Sequence, residues 1–373
     1  MLLGLLRLMG SPSPEKVVLE VGPFGGPAAL DMILGKPIVS KEHAAKLVPL
    51  EQIGKGAKGT VWRARMVTEA EGDREVALKV VRIEPWYPKA RIMREVGLME
   101  RLSGGRFVEA YGHWEARNSV LLIMELVDGD MRSIVALQSF EKVGLGERLR
   151  LFQDVVEGLR QLAAQQIVHR DIKLGNILIS NTSGGLRAKI SDFGCAFSLP
   201  GGPPEFADDA ESSHAVGAFH YRAPEGWERN FTLKSDVYAA GMLFYQLLFE
   251  GMWPPLFIEL WEERGRYDSY FSQRWRDYDV KDDELIATAT VMAANSGETW
   301  LLRLLQLLPR MLERDQAKRL DIEAVHRALQ EASSHPLWEH RVVEIIRAAN
   351  AEVYRDFVDE EAAADVIGLR ATR

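Results

Sequence analysis

One run of this chain, His169-Arg170-Asp171-Ile172-Lys173-Leu174-Gly175-Asn176, places a carboxylate, an ammonium group and a carboxamide close together, and Asp192-Phe193-Gly194 follows sixteen residues after Asn176. These residue types suit phosphoryl transfer. The transferred group carries heavy negative charge and needs little covalent help, so a site must supply a carboxylate to orient the attacking hydroxyl and oxygen ligands for magnesium. Asp171, Asn176 and Asp192 offer them. Each piece alone is weak, because Asp-Phe-Gly can be an ordinary turn and Asp and Asn are common on loops. Order and spacing decide.

Upstream, Gln52-Ile53-Gly54-Lys55-Gly56-Ala57-Lys58-Gly59-Thr60-Val61 sets three glycines in a G-x-G-x-x-G-x-V pattern. Glycine permits the close backbone approach that phosphates need. By itself the pattern also fits a dinucleotide-binding turn, which would open a helix. Here it continues into Val61-Trp62-Arg63-Ala64-Arg65-Met66, an alternating run that predicts a second strand and a hairpin. Val76-Ala77-Leu78-Lys79 ends twenty residues after Gly59, and Glu95 lies sixteen further on in an amphipathic stretch. The set resembles the eukaryotic protein kinase family, over about residues 47 to 330.

The resemblance implies an α+β, two-lobed fold with a small β-rich lobe and a large, mostly helical one. It implies ATP and Mg2+ as cofactors and a protein substrate. Lys79 would hold the α- and β-phosphates and be positioned by Glu95, Asp171 would be the catalytic base, and Asn176 and Asp192 would ligate magnesium. Lys173 looks like the lysine with which serine/threonine kinases steady the γ-phosphate. The nucleotide-contacting set carried over is Ile53, Gly54, Lys55, Gly56, Gly59, Val61, Ala77, Lys79, Met124, Glu125, Val127, Asp130 and Leu178. Met124 looks like the gatekeeper behind the adenine pocket. Asp130 matches an acidic residue that some kinases use on the ribose hydroxyls, and it equally fits a helix N-cap. His169 is expected to support Asp192 and Phe193 by packing, and Cys195 to be a small buried filler. Arg319 would pair with Glu225 of Ala223-Pro224-Glu225.

The chain departs from the family at Ala218, where serine/threonine kinases usually carry a threonine whose hydroxyl links the base to Lys173. Two other readings therefore stand beside an active kinase. One is a pseudokinase or scaffold that binds nucleotide with weak or no transfer. The other is a small-molecule kinase, opposed by Arg170 and by Ala223-Pro224-Glu225. Gly175 occupies a position where basic-directed kinases often carry glutamate. Arg170, beside the base, invites a pairing anion, and phosphorylated Ser212 or Ser213 is one candidate.

Composition bounds the rest. The 373 residues are 47% hydrophobic, and 46 basic against 54 acidic side chains leave a net charge of −8. That balance opposes general nucleic-acid binding, which rests on attraction to phosphates. A single cysteine, Cys195, excludes an intramolecular disulfide framework and a multi-cysteine metal site. No apolar run reaches the roughly 18 residues that span a bilayer. The expected compartment is the cytoplasm, with nuclear or organellar placement open. Met1 to Met9 resembles a short signal core interrupted by Arg7, or a terminal helix.

These groups need elements to hold them. Residues 1–46 form an N-terminal extension, with a short helix expected after Ser40. Residues 47–335 form the kinase-like domain, its small lobe about 47–127 and its large lobe about 128–335, and 336–373 form a helical tail. Val120 to Val127 reads as a buried strand entering a hinge. Leu149, Phe152, Val156, Leu159 and Ala163 fall on one helix face that leads into His169. Val237 to Phe249, apolar almost all round, reads as a helix buried on every side. The aromatic-rich stretch 252–299 and the tail helix, Glu339 to Phe357, are candidate docking regions.

Overall fold

The computed structural model describes residues 19–20, 38–40, 45–56, 58–68, 72–116, 118–135, 143–207, 217–264, 269–332 and 339–355. Contacts divide the chain into two units, Met1–Ser103 with Glu109–Leu126, and Gly104–Val108 with Val127–Arg373. The short piece 104–108 belongs to the second unit because Ile190 holds it: Ile190 N donates to Arg106 O, and Val108 N donates to Ile190 O. The N-terminal residues Met1 to Met9, and Ser212 and Ser213, lie outside the described residues.

The first unit is a sheet of β1 (Leu19–Glu20), β2 (Ile38–Ser40), β3 (Ala45–Gly56), β4 (Gly59–Thr68), β5 (Gly72–Arg82), β6 (Ala110–Ala116) and β7 (Ser119–Glu125), with the helix α1 (Lys89–Leu102) between β5 and β6. The strand order is β1-β2-β3-β4-β5-β7-β6, antiparallel apart from β1 and β2. Period-two alternation builds one of its faces into a core of Leu47, Ala64, Met66, Val76, Leu78, Val80, Trp114, Leu121 and Ile123. The helix expected after Ser40 would begin on residues 41–44, which lie outside the described residues. Ser40 ends β2 and pairs with Ala45, which opens β3.

The second unit begins with β8 (Gly129–Asp130), α2 (Met131–Val135), α3 (Leu145–Ala164), β9 (Ile167–Val168), β10 (Ile177–Thr182), β11 (Gly185–Ile190) and β12 (Phe197–Ser198). It continues through α4 (Leu233–Leu248), α5 (Pro255–Arg264), α6 (Ser269–Arg276), α7 (Glu284–Asn295), α8 (Thr299–Met311), α9 (Ile322–Ala332) and α10 (Glu339–Val353). Two small sheets, β11-β10-β8 and β12-β9, carry the loops described below.

The helix α4 is buried from Ser235 to Leu248. Its N-terminus is closed by a capping box between Thr232 and Ser235, and Thr232 Oγ1 donates in turn to Gln316 Oε1 at 3.1 Å. On α3, Leu149, Phe152, Val156 and Leu159 are buried. Most of the described aromatics between 252 and 299 are core, among them Trp253, Phe257, Phe271, Trp275 and Tyr278. The tail helix α10 also turns inward: Val342, Ile346 and Ala349 are buried, and Tyr354 Oη donates to Trp253 O at 2.6 Å.

Candidate active site

In the first unit, strand register places the side chains. Gly54 faces Val61 across β3 and β4, Val61 faces Lys79 across β4 and β5, and Ala77 faces Met124 across β5 and β7. Residues directly opposite one another share a sheet face. Val61, Ala77, Lys79 and Met124 therefore lie on the face opposite the apolar core cluster. The register is irregular between Gln52 and Gly54, and Ile53 there is exposed, as are Lys55 and Gly56. Gly59 is required for a local reason, because a Cβ on it would fall 2.1 Å from Val80 O. Glu125 is tied at the end of β7, its N donating to Glu109 O and its Oε1 accepting from Glu109 N.

Lys79 Nζ and Glu95 Oε1 are 2.6 Å apart, and Glu95 is 1% exposed. A carboxylate taken out of water is costly unless each oxygen finds a donor. The second donor is Tyr87, whose Oη lies 2.7 Å from Glu95 Oε2. Tyr87 is itself fully buried and held by reciprocal backbone bonds with Glu84. Two cations lie over its ring, Arg91 at 5.2 Å and Lys58, from the glycine-rich turn, at 5.9 Å. Sequence reading missed Tyr87. The only local signal is an aromatic at the turn before α1, and nothing in that pattern says that it points inward.

In the second unit the corresponding groups sit on loops. Asp171 Oδ2 accepts from Lys173 Nζ and from Asn176 Nδ2, each at 2.8 Å, and Asn176 Nδ2 also reaches Asp171 O at 2.8 Å. Asp171 Oδ1 accepts from the backbone N of Ala218 at 2.8 Å. The connection that the absent threonine hydroxyl would make is thus made in another way. Lys173 meets the carboxylate directly, and the main chain at 218 takes its other oxygen. The approach is close: Gly217 has φ +86°, and a Cβ there would lie 2.1 Å from Arg170 O.

These loops are strained and tied. Arg170 and Asp192 have φ of 64° and 62°, left-handed values that are rare for residues with a side chain. Asp236, at the start of α4, accepts from His169 N at 2.7 Å and Arg170 N at 2.9 Å. Burial pushes its carboxyl up to about 7, against those two donors and Arg170, which pull it down. Sequence reading also missed Asp236; its signal is an acid at the mouth of an otherwise apolar helix. His169 Nε2 is 3.1 Å from Ser191 O, and its ring packs 5.1 Å from that of Phe193. Asn176 O accepts from Ser191 N and Oγ, which fixes the approach to Asp192.

Arg170 Nε donates to Cys195 O at 2.6 Å, and its guanidinium lies 4.3 Å from the Phe197 ring, so a carbonyl and an aromatic face accommodate the charge. Cys195 is buried. Asp130 pairs with Leu178 across β8 and β10. Its carboxylate accepts from Arg132 N at 2.9 Å and pairs with the Arg132 guanidinium. Val127 is half-buried at the start of this unit. Glu225 and Arg319 form a buried two-point pair, at 2.6 and 3.0 Å.

A family model described as the protein kinase domain matches residues 47–331. The chain is 31% identical over 201 residues to a calcium/calmodulin-regulated receptor-like kinase of Arabidopsis thaliana, an alignment covering 52% of this chain and 42% of that protein. It is 30% identical over 249 residues to a calcium-dependent protein kinase of Oryza sativa subsp. japonica, covering 65% and 44%. It is 28% identical over 256 residues to a leucine-rich-repeat receptor-like serine/threonine-protein kinase of Arabidopsis thaliana, covering 65% and 40%. The matched region is thus less than half the length of each relative. Among the described residues no helix is long and apolar enough to cross a membrane. With the family match spanning both units, the chain belongs to the protein kinase domain family.

Proposed function

We propose that this protein transfers the γ-phosphoryl group of ATP, with magnesium, to serine or threonine hydroxyls of protein substrates. The observation that carries the reading is the bonding around Asp171. A carboxylate held by an ammonium group, an amide side chain and a backbone N–H is pre-oriented to accept a hydroxyl proton without reorganising.

The donor set also suits magnesium. Both hydrogen bonds from Asn176 Nδ2 go to Asp171, which leaves Oδ1 as the amide atom able to serve a cation, and Asp192 adds a carboxylate nearby in the chain. Hard oxygen donors of this kind fit the ion. When bound, it would offset the charge of the phosphates. Asp171 orients the acceptor hydroxyl and takes its proton, Lys173 beside it faces the charge that builds on the transferred group, and Lys79, fixed by Glu95, holds the remaining phosphates. Lys173 also supports serine or threonine as the acceptor, by its likeness to the lysine of that subfamily.

The second reading, a nucleotide-binding pseudokinase, draws on Ala218, whose N–H occupies Asp171 Oδ1. Magnesium-dependent transfer of labelled phosphate from ATP to a mixed peptide pool separates the two. Asp171→Asn should lower kcat by about 10²–10⁴-fold while nucleotide affinity stays within a few-fold. Wild-type turnover in Asp171→Asn would remove Asp171 as the base.

A further inference from the structure

A further cation, Arg222, lies beside the proposed base with no part in its bonding, and a second cation, Arg276, shares an indole with it. One cavity is lined by the charged residues Arg170, Asp171, Arg222 and Asp236 together with Ala218 and Phe231, among others. The Arg222 guanidinium stacks 4.5 Å from the Trp227 ring, and the Arg276 guanidinium, from the end of α6, lies at the same 4.5 Å. Two like charges are thereby brought to one indole.

Neither is in an ion pair among the described residues, although the Asp171 charge acts on Arg222 across the cavity. Arg222 Nη2 donates to Gly217 O at 2.9 Å, and its Nε is buried with no acceptor among them. Arg276 is exposed, and its guanidinium lies over the indole. Burial and then the Arg276 charge lower the pKa of Arg222, against Asp171 and then Cys195, which raise it. Two neighbouring cations are relieved when an anion pairs with them, and guanidinium forks bind carboxylate and phosphate with matched geometry. The net charge of −8 works against long-range attraction of an acidic substrate. Selection must therefore be short-range, within about 10 Å of the pair, where screening is weak.

We propose that Arg222, Arg276 and Trp227 form a subsite for an acidic side chain, carboxylate or phosphate, of the protein substrate, close to the residue that is phosphorylated. The inference rests on the protein-substrate reading above. Trp227 sets the spacing of the two guanidinium groups, and Gly217 O anchors Arg222.

The test uses the full chain and serine-acceptor peptides in which one flanking position at a time is Ala, Lys, Glu or phosphoserine. At one flanking position, Glu and phosphoserine should raise kcat/KM about tenfold over Ala, with Lys below Ala. A preference for phosphoserine alone also supports the subsite and narrows its ligand to a dianion. Charge exchange in Arg276→Glu should move the preference at that same position from Glu toward Lys, a gain that misfolding cannot imitate. If wild type treats Ala, Lys and Glu alike at every position, the subsite is wrong and the kinase reading stands. An Arg276→Glu protein that still prefers Glu also overturns it. If no peptide is phosphorylated with magnesium and ATP, the kinase reading fails and the subsite falls with it.

Discussion

The two units hold their candidate groups by opposite means. In the first, Val61, Ala77, Lys79 and Met124 owe their common face to strand pairing, and α1 brings in Glu95. In the second, Asp171, Lys173 and Asn176 sit on a loop whose backbone is strained at Arg170, and distant residues hold it there. Asp236 is 66 residues from Arg170 and Ala218 is 47 from Asp171. A hydrogen-bonded ladder repeats, so losing one contact leaves neighbours to keep the register. A strained loop has no such redundancy, and its few long-range bonds should be individually costly.

The sharpest way to break this contrast is Asp236→Ala. It would leave the buried N–H groups of His169 and Arg170 without their acceptor, so unfolding free energy should fall by about 2–6 kcal/mol, with activity lost alongside. Asp236→Asn, keeping one acceptor oxygen, should lose less. Denaturant titration of both variants checks the order, and equal losses in the two would deny that bonding to this carboxylate holds the loop.

Next in size is a pH effect. His220 packs 4.8 Å from Phe257 and 5.1 Å from Trp253, and burial pushes its pKa down to about 4. Unfolded histidine titrates near 6.5. The folded state thus disfavours the charged ring, and stability is full above about 6.5 and declines as pH falls from there toward 4. The whole decline attributable to this residue is about 3 kcal/mol. His220→Phe should flatten the difference in urea midpoint between pH 7 and pH 4.5. An unchanged difference would place the acid sensitivity elsewhere.

In the first unit, Tyr87→Phe removes one hydrogen bond to a buried charge, worth about 1.5–3 kcal/mol. We expect kcat/KM to fall about tenfold while the sheet stays folded. The effect should vanish in a Glu95→Gln background, because both changes act on the same carboxylate. Additive losses would mean that Tyr87 only packs. The smallest effect expected is that of Ala218→Thr. Since the main chain at 218 already bonds Asp171, an added hydroxyl should leave peptide phosphorylation within about tenfold, or raise it; tenfold is about 1.4 kcal/mol. A larger loss would indicate a loop built around alanine.

Much of this protein is legible locally. Alternation in Val61 to Met66 predicts the strand and hairpin that follow the glycines, because side chains along a strand have a period of two. The apolar run after Asp236 predicts a helix buried all round, and α4 is one. The motif residues are legible because catalytic loops keep functional groups close in sequence: Asp171, Lys173 and Asn176 touch one another across no more than five positions. Other features follow no local period. Nothing near Ser40 says that it ends a strand and pairs with Ala45. Tyr87, Asp236 and the N–H of Ala218 gain their roles only when folding brings a buried carboxylate or a strained loop within reach. The sequence by itself determines which chemical groups are present and which faces are apolar. Tertiary structure decides which donor meets which acceptor, because a buried polar atom must take the partner that packing puts there.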